Sequence, residues 1–196
     1  MSLILASTSP YRQALLKRLG LPFRVENPRV SEELIGGEAP ADRALRLAIA
    51  KASAVAALQP DAWVLGSDQV AECAGRVLDK PGDAARCREQ LAFESGRSVT
   101  FCTAAVLMRG NPPVHHEHVD RTIVRFRTLG AEEIARYVER DRPCDCAGGF
   151  RCEGLGIALF DGIDTRDPTA LIGLPLIWTA RALRQAGFDP IAASQS

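Results

Sequence analysis

The sequence predicts an α/β fold, a mixed twisted central sheet flanked by helices, and three observations predict it. Leu3-Ile-Leu-Ala6, the hydroxyl-rich turn Ser7-Thr8-Ser9-Pro10-Tyr11-Arg12 and an amphipathic run ending at Gly20 read as a buried strand, a tight loop and a helix. Residues 99–108 and 119–126, joined by Gly110-Asn-Pro-Pro113, read as an antiparallel pair with Thr122, Val124 and Phe126 alternating against Arg121, Arg125 and Arg127. Apolar stripes mark helices from Pro40 to about Leu58 and from Leu174, with Pro175 in its first turn and Gly187 past its end.

A chain of 196 residues, 46% hydrophobic, carries one good core or two tightly joined lobes, and with no linker, repeat or low-complexity stretch it reads as a single domain over 1–196. Lysine plus arginine equals aspartate plus glutamate at 24 each, so no global field holds a nucleic-acid polymer and any basic site is local. The apolar start breaks at Ser7, so it is no signal peptide, and no later run approaches a membrane span. Six scattered cysteines (73, 87, 102, 144, 146 and 152) suit reduced thiols. The cytoplasm is the expected compartment.

Taken in order, the first turn places three hydroxyls and Arg12 before helix amides that lack intrahelical partners, a place for an anion or simply a helix cap. It lacks the glycines of a P-loop, so side chains rather than backbone must hold a phosphate. Pro22 to Val25 is a short strand. The loop from Glu26 to Ala39 carries Glu32, Glu33 and Glu38, which read either as divalent-cation ligands or as a solvated loop. On the 40–58 helix, Arg43 and Arg46 lie opposite the apolar stripe, whereas Lys51 projects at its edge, where it snorkels or meets an anion. Trp63 to Ser67 is a buried strand, and Asp68-Gln69 sit where it is expected to end, the position at which open α/β sheets place a general base, a metal ligand or a turn aspartate.

A hairpin about Ala74-Gly75 leads to Asp79-Lys80-Pro81, and a surface helix runs from Asp83 to Glu94. His115, His116 and His118 read as surface residues or a metal cluster. A helix spans Ala131 to Arg140. Beyond it the cysteine- and glycine-rich stretch from Cys144 to Gly154 bends sharply and lacks the usual zinc spacing. Glu153 stands there among small residues, before a strand expected over Leu155 to Phe160, where backbone approaches a ligand closely. Thr165 to Leu171 is a loop and Ala192 to Ser196 a tail.

Leu-Ala-Ser-Thr-Ser-Pro-x-Arg, Val30-Ser-Glu32, Ala50-Lys51-Ala52, Gly66-Ser-Asp68-Gln69-Val70, Asp79-Lys80-Pro81, Ala147-Gly-Gly-Phe150, Glu153-Gly154 and Gly173-Leu-Pro175 together resemble the Maf family of nucleoside triphosphate pyrophosphatases. The resemblance covers Leu3 to about Gly187. It implies a Maf/Ham1-like fold with two lobes around a nucleotide cleft, a homodimer in many members, and cleavage between the α and β phosphates with a divalent cation, Mg or Mn. Carried over residue by residue, it implies Ser9 and Arg12 at the phosphates, Glu32 and Asp68 at the metal and the attacking water, Asp68 as proton acceptor, and Lys51 and Lys80 on the triphosphate. Ser31 departs from the pattern, since the family commonly has aspartate before the glutamate, and Glu33 is the nearest substitute.

The chemistry agrees with that assignment. Splitting a phosphoanhydride needs a metal on phosphoryl oxygen, cations against the departing pyrophosphate and a base to orient water. Tyr11, Gln69 and Glu153 resemble the branch of the family that acts on 7-methyl-GTP rather than on dTTP and UTP. A cationic methylated guanine favours an aromatic face over an arginine, and a glutamate accepts from the N1 and N2 donors of guanine. The competing readings are a dTTP/UTP or broader modified-nucleotide pyrophosphatase and a non-catalytic nucleotide-binding regulator of cell division.

Overall fold

β1 (Leu3–Ala6) is buried at every position and pairs in parallel with β2 (Arg24–Val25) and with β3 (Trp63–Cys73), Leu3 to Ala6 lying opposite Trp63 to Gly66. A strand covered on both faces shows no polar alternation, which is why it reads Leu-Ile-Leu-Ala. These elements belong to a computed structural model that describes residues 1–192. The tail expected at 192–196 lies outside the described residues from position 193.

The other strands are β4 (Arg76–Leu78), β5 (Ser98–Arg109), β6 (Val114–Phe126) and β7 (Phe160–Asp164), and the helices are α1 (Pro10–Lys17), α2 (Pro40–Leu58), α3 (Ala84–Glu94), α4 (Ala131–Asp141) and α5 (Leu176–Gln185). Among the described residues, seven strands form one sheet in the order β2-β1-β3-β5-β6-β7, with β4 on β3. Parallel pairs at β1 and antiparallel pairs at β3–β4 and β6–β7 make it the mixed sheet the sequence predicts. Ala74 and Gly75 take the left-handed backbone (φ 49° and 79°) that closes the hairpin. Among the described residues no helix is long and apolar enough to cross a membrane.

Three expectations are corrected. β3 does not end at Ser67 but continues through Asp68 to Cys73, because the aspartate that reads as a turn signal is neutralised by a lysine and the strand meets no glycine until Gly75. Residues Leu155–Leu159 form a 3₁₀ turn instead of a strand, which is confined to Phe160–Asp164. The reason is Gly156, where a Cβ would stand 2.3 Å from the Arg151 carbonyl, so the chain folds back on itself there. Finally, Pro175 caps α5 from outside its first turn.

The chain divides into two compact units, one of residues 1–69, 103–120 and 167–192, the other of 70–102 and 121–166, so β3, β5 and β6 each contribute to both. In the first, Leu3, Leu5, Leu15, Leu16, Leu65 and Leu183 anchor the core. In the second, Phe150 packs edge-to-face with Phe101, Phe126 and Phe160, at centroid separations of 5.5, 5.4 and 4.9 Å. Among the described residues no disulfide joins the six cysteines, and burial with nearby thiols pushes Cys87 up to about 12.

Glu94, at the end of α3, is fully buried, and neither carboxylate oxygen has a hydrogen-bond partner. Burial holds its acid well above the usual carboxylate range. The folded state therefore keeps a proton that the unfolded chain releases above about 4.5, so this site contributes stability at low pH that is lost as pH rises. Glu94→Gln removes that loss: its melting temperature is expected to match the parent near pH 4 and to exceed it increasingly towards pH 8. A constant difference across a calorimetric pH series contradicts the assignment.

Candidate active site

α2 buries Ala44, Leu47, Ala48, Ala52, Val55 and Ala56, and Lys51 with them. Helix and strand meet at Gly66 of β3, where a Cβ would lie 2.4 Å from the Ala48 carbonyl oxygen and 2.9 Å from the Ala52 side chain. Two residues on, the same face of β3 presents Asp68. Its Oδ1 stands 2.5 Å from Lys51 Nζ, and both side chains are nine-tenths buried. Glu32 enters from the acidic loop, its Oε1 2.6 Å from the same ammonium while more than half of its side chain stays exposed. One cation position thus holds two carboxylates. Stripped of one partner, a buried ion pair typically loses about 3–5 kcal/mol.

Ser9 is the N-cap of α1: its hydroxyl oxygen accepts from Arg12 N at 3.4 Å, and its own amide donates to Ser7 Oγ at 3.2 Å. The cap reading of the first turn is therefore realised, and the Ser9 hydroxyl retains its proton to donate. Tyr11 is half-buried in the first turn of that helix. Arg12 Nε donates to the Gly173 carbonyl at 2.9 Å. Burial lowers the Arg12 pKa, and the charges of Asp68 and Glu32 oppose that shift, so the guanidinium feels both carboxylates.

The alternate face of β3 is braced by the loop before α5. Ser67 Oγ contacts the Ala104 and Gly173 carbonyls at 2.7 and 2.9 Å. Gln69 Nε2 donates to Thr103 Oγ1, Ala170 O and Leu171 O at 2.9 to 3.1 Å, so the amide nitrogen of this specificity candidate is committed to the protein. The loop is itself pinned by Asp167, which accepts from Thr169 N, Thr169 Oγ1 and Ile177 N at 2.6 to 2.9 Å.

Lys80 and Glu153 belong to the second unit. Both are exposed, and Glu153 Oε2 accepts from Cys152 Sγ at 3.4 Å. The histidines face other partners: His115 pairs with Glu117 at 2.7 Å, and His116 and His118 stack on Trp63 and Trp178. Among the described residues no three or more His, Cys, Asp or Glu side chains gather as metal ligands. Sequence reasoning missed the Ser67, Thr103, Asp167 and Thr169 brace and the tie from Arg46 to Glu38. Hydroxyls on a buried strand carry no local signal, since the partners of Ser67 and Thr103 stand 34 to 106 residues away. Asp167, Thr169 and Glu38 lie only two to ten residues from their partners, but in segments that read as loop.

A family model described as Maf-like protein matches residues 2–186. The chain belongs to this family. Maf-like relatives include a protein of Xanthomonas axonopodis pv. citri named 7-methyl-GTP pyrophosphatase, 54% identical over 187 residues, or 95% of this chain and 97% of the relative. A protein of the same name from Bordetella pertussis is 52% identical over 190 residues, 96% and 94% of the two chains. The Ham1 protein of Staphylococcus aureus has a similar fold, with a TM-score of 0.52 at 15% identity over 96% of this chain and 100% of that one.

The approach of α2 at Gly66 generates a prediction. Gly66→Ala pushes a methyl group into helix backbone and is expected to cost about 1–3 kcal/mol, read from urea unfolding. Wild-type stability in that variant contradicts the close approach.

Proposed function

We propose that this Maf-like chain hydrolyses 7-methyl-GTP to the monophosphate and pyrophosphate, by water attack at the α phosphate. The observation that carries the reading is the convergence of Asp68 and Glu32 on one cation position, in a chain about half identical, over nearly its whole length, to proteins named for that activity. We further propose that residues 1–196 act as one catalytic domain, as a homodimer in the cytoplasm; the family match over 2–186 supports the first, and six cysteines not joined by disulfides suit the last.

The resemblance to the Maf family implies a divalent metal. The donor set fits one: two hard carboxylates already share a cation, and Mg²⁺ or Mn²⁺ is commonly held by one or two carboxylates with substrate phosphates completing the shell. Glu32 and Asp68 would hold it, and a bound divalent ion polarises phosphoryl oxygen and stabilises charge that develops there.

The chain's own residues do the rest. Asp68 orients the attacking water and accepts its proton, from a strand position that its hydrogen-bonded neighbours keep rigid. Arg12, tethered through Nε, keeps its terminal guanidinium nitrogens for phosphate oxygens, beside the Ser9 hydroxyl. Lys51 and Lys80 neutralise the leaving pyrophosphate. Tyr11 stacks on the cationic base, Glu153 accepts from its N1 and N2 donors, and Gln69 contributes its oxygen, since its nitrogen is bound by the 170–171 carbonyls.

Pyrophosphate release with magnesium across 7-methyl-GTP, GTP, dTTP, UTP and CTP tests the reading. The methylated nucleotide is expected to be preferred, and Asp68→Asn is expected to lower kcat by about two to four decades while nucleotide binding persists. Binding without turnover of any of them makes the chain a regulator instead. Tyr11→Leu removes the aromatic face and is expected to raise KM for 7-methyl-GTP about 3- to 30-fold while leaving KM for GTP nearly unchanged; an equal rise for both sinks the stacking role.

A further inference from the structure

The acidic loop that carries Glu32 is not held by apolar burial. Between β2 and α2 it forms no regular structure, residues 31–37 are all exposed, and its large apolar side chains, Leu34 and Ile35, stand 68% and 56% open to solvent. Burial therefore does not fix its path, and an untethered loop would spread its glutamate over many positions. What fixes it is polar. Arg46 of α2 grips Glu38 in fork geometry, Nε to Oε1 at 2.6 Å and Nη2 to Oε2 at 2.7 Å, and the same Nη2 donates to the Glu33 carbonyl at 3.2 Å. That carbonyl follows Glu32 directly. The grip also holds the Glu38 carboxyl below the usual range and raises Arg46, as a committed ion pair does, and Glu38 N closes a turn onto Ile35 O at 3.3 Å.

Resting on the pyrophosphatase reading above, we propose that Arg46 is the positioning residue for Glu32, and so for half of the divalent-metal site. Arg46 and Lys51 stand on the same helix, so the guanidinium sets the loop and the ammonium meets its carboxylate in one frame. Lysine cannot substitute, because two parallel bonds to the carboxylate and a third to a carbonyl need the planar fork. The role differs from catalysis: Arg46 acts through the loop and touches no reacting atom.

Mn²⁺ binding without nucleotide, followed by electron paramagnetic resonance, reads this directly. Arg46→Gln is expected to weaken Mn²⁺ binding about tenfold, the low end of what loss of an outer-shell partner costs a metal site. The Mg²⁺ concentration for half-maximal pyrophosphate release should rise by about the same factor, with kcat at saturating Mg²⁺ within about threefold of the parent. Hydrogen exchange of amides 29–39 should quicken. Arg46→Lys should recover little, and the swapped pair Arg46→Glu with Glu38→Arg most of the Mn²⁺ affinity. Glu38→Gln, which keeps the arginine and its helix intact, should reproduce the defect if Arg46→Gln fails to fold. Arg86→Gln, which removes a solvent-exposed partner of Asp83 on α3, serves as the control and should change none of these. Unchanged Mn²⁺ affinity in Arg46→Gln or Glu38→Gln, or a fall in kcat with the metal requirement unmoved, overturns the proposal. Loss of turnover by the parent itself fails the pyrophosphatase reading and leaves the Mn²⁺ and exchange readouts to judge Arg46.

Discussion

A lysine ammonium clasped by two carboxylates ties a helix, a strand and a loop to one point. An ammonium and an aspartate withdrawn from water are each costly alone, and their close pairing with Glu32 is what makes the burial tolerable. Everything near them serves that approach. Gly66 lets the α2 backbone come down onto β3, the small residues Ala48 and Ala52 leave the space, and Pro40 starts the helix far enough upstream for its fourth turn to arrive beside Asp68. The cluster also concentrates two negative charges and one positive charge at a single point between helix, strand and loop.

Much of this was legible in the chain. The α2 boundaries follow from Pro40 and the apolar stripe, and Lys51 is conspicuous because a charge at the edge of that stripe demands an explanation. The mixed sheet follows from one βα start and one alternating pair. What stayed hidden depended on partners far along the chain. Asp68 reads as the end of a strand unless one knows that a lysine 17 residues earlier neutralises it. The stretch from Leu155 reads as a strand because Leu-x-Ile-x-Leu has period two, and only the packing of Gly156 on the Arg151 carbonyl reveals the turn. Arg46 reads as a solvated arginine until the loop folds back over it.

The two faces of β3 divide the labour. Gly66 and Asp68 point towards α2, whereas Ser67 and Gln69 hold the carbonyls of Ala104, Gly173, Ala170 and Leu171. Gly173 in turn receives Arg12, so the strand that aims the carboxylate also, through one carbonyl, sets the arginine. Thr169 and Asp167 keep that carbonyl in place by capping the amides of Leu176 and Ile177 at the start of α5. Asp68 and Arg12 are thereby placed by a shared backbone.

The alternation sets limits on how this chain can vary in length. A single residue gained or lost between Trp63 and Gly66 would exchange the faces of β3, turning the packing glycine and the carboxylate towards the brace and the serine and glutamine towards the helix. No side-chain substitution repairs such a slip. The segment between β2 and Glu32 has no pairing register to break, and adding residues there costs only the slowly growing entropy of a longer loop, whereas from Glu32 to Glu38 the Arg46 clasp fixes the spacing. Extra length is thus tolerated ahead of Glu32, while the spacing from Trp63 to Gln69 is as rigid a requirement as the residues themselves.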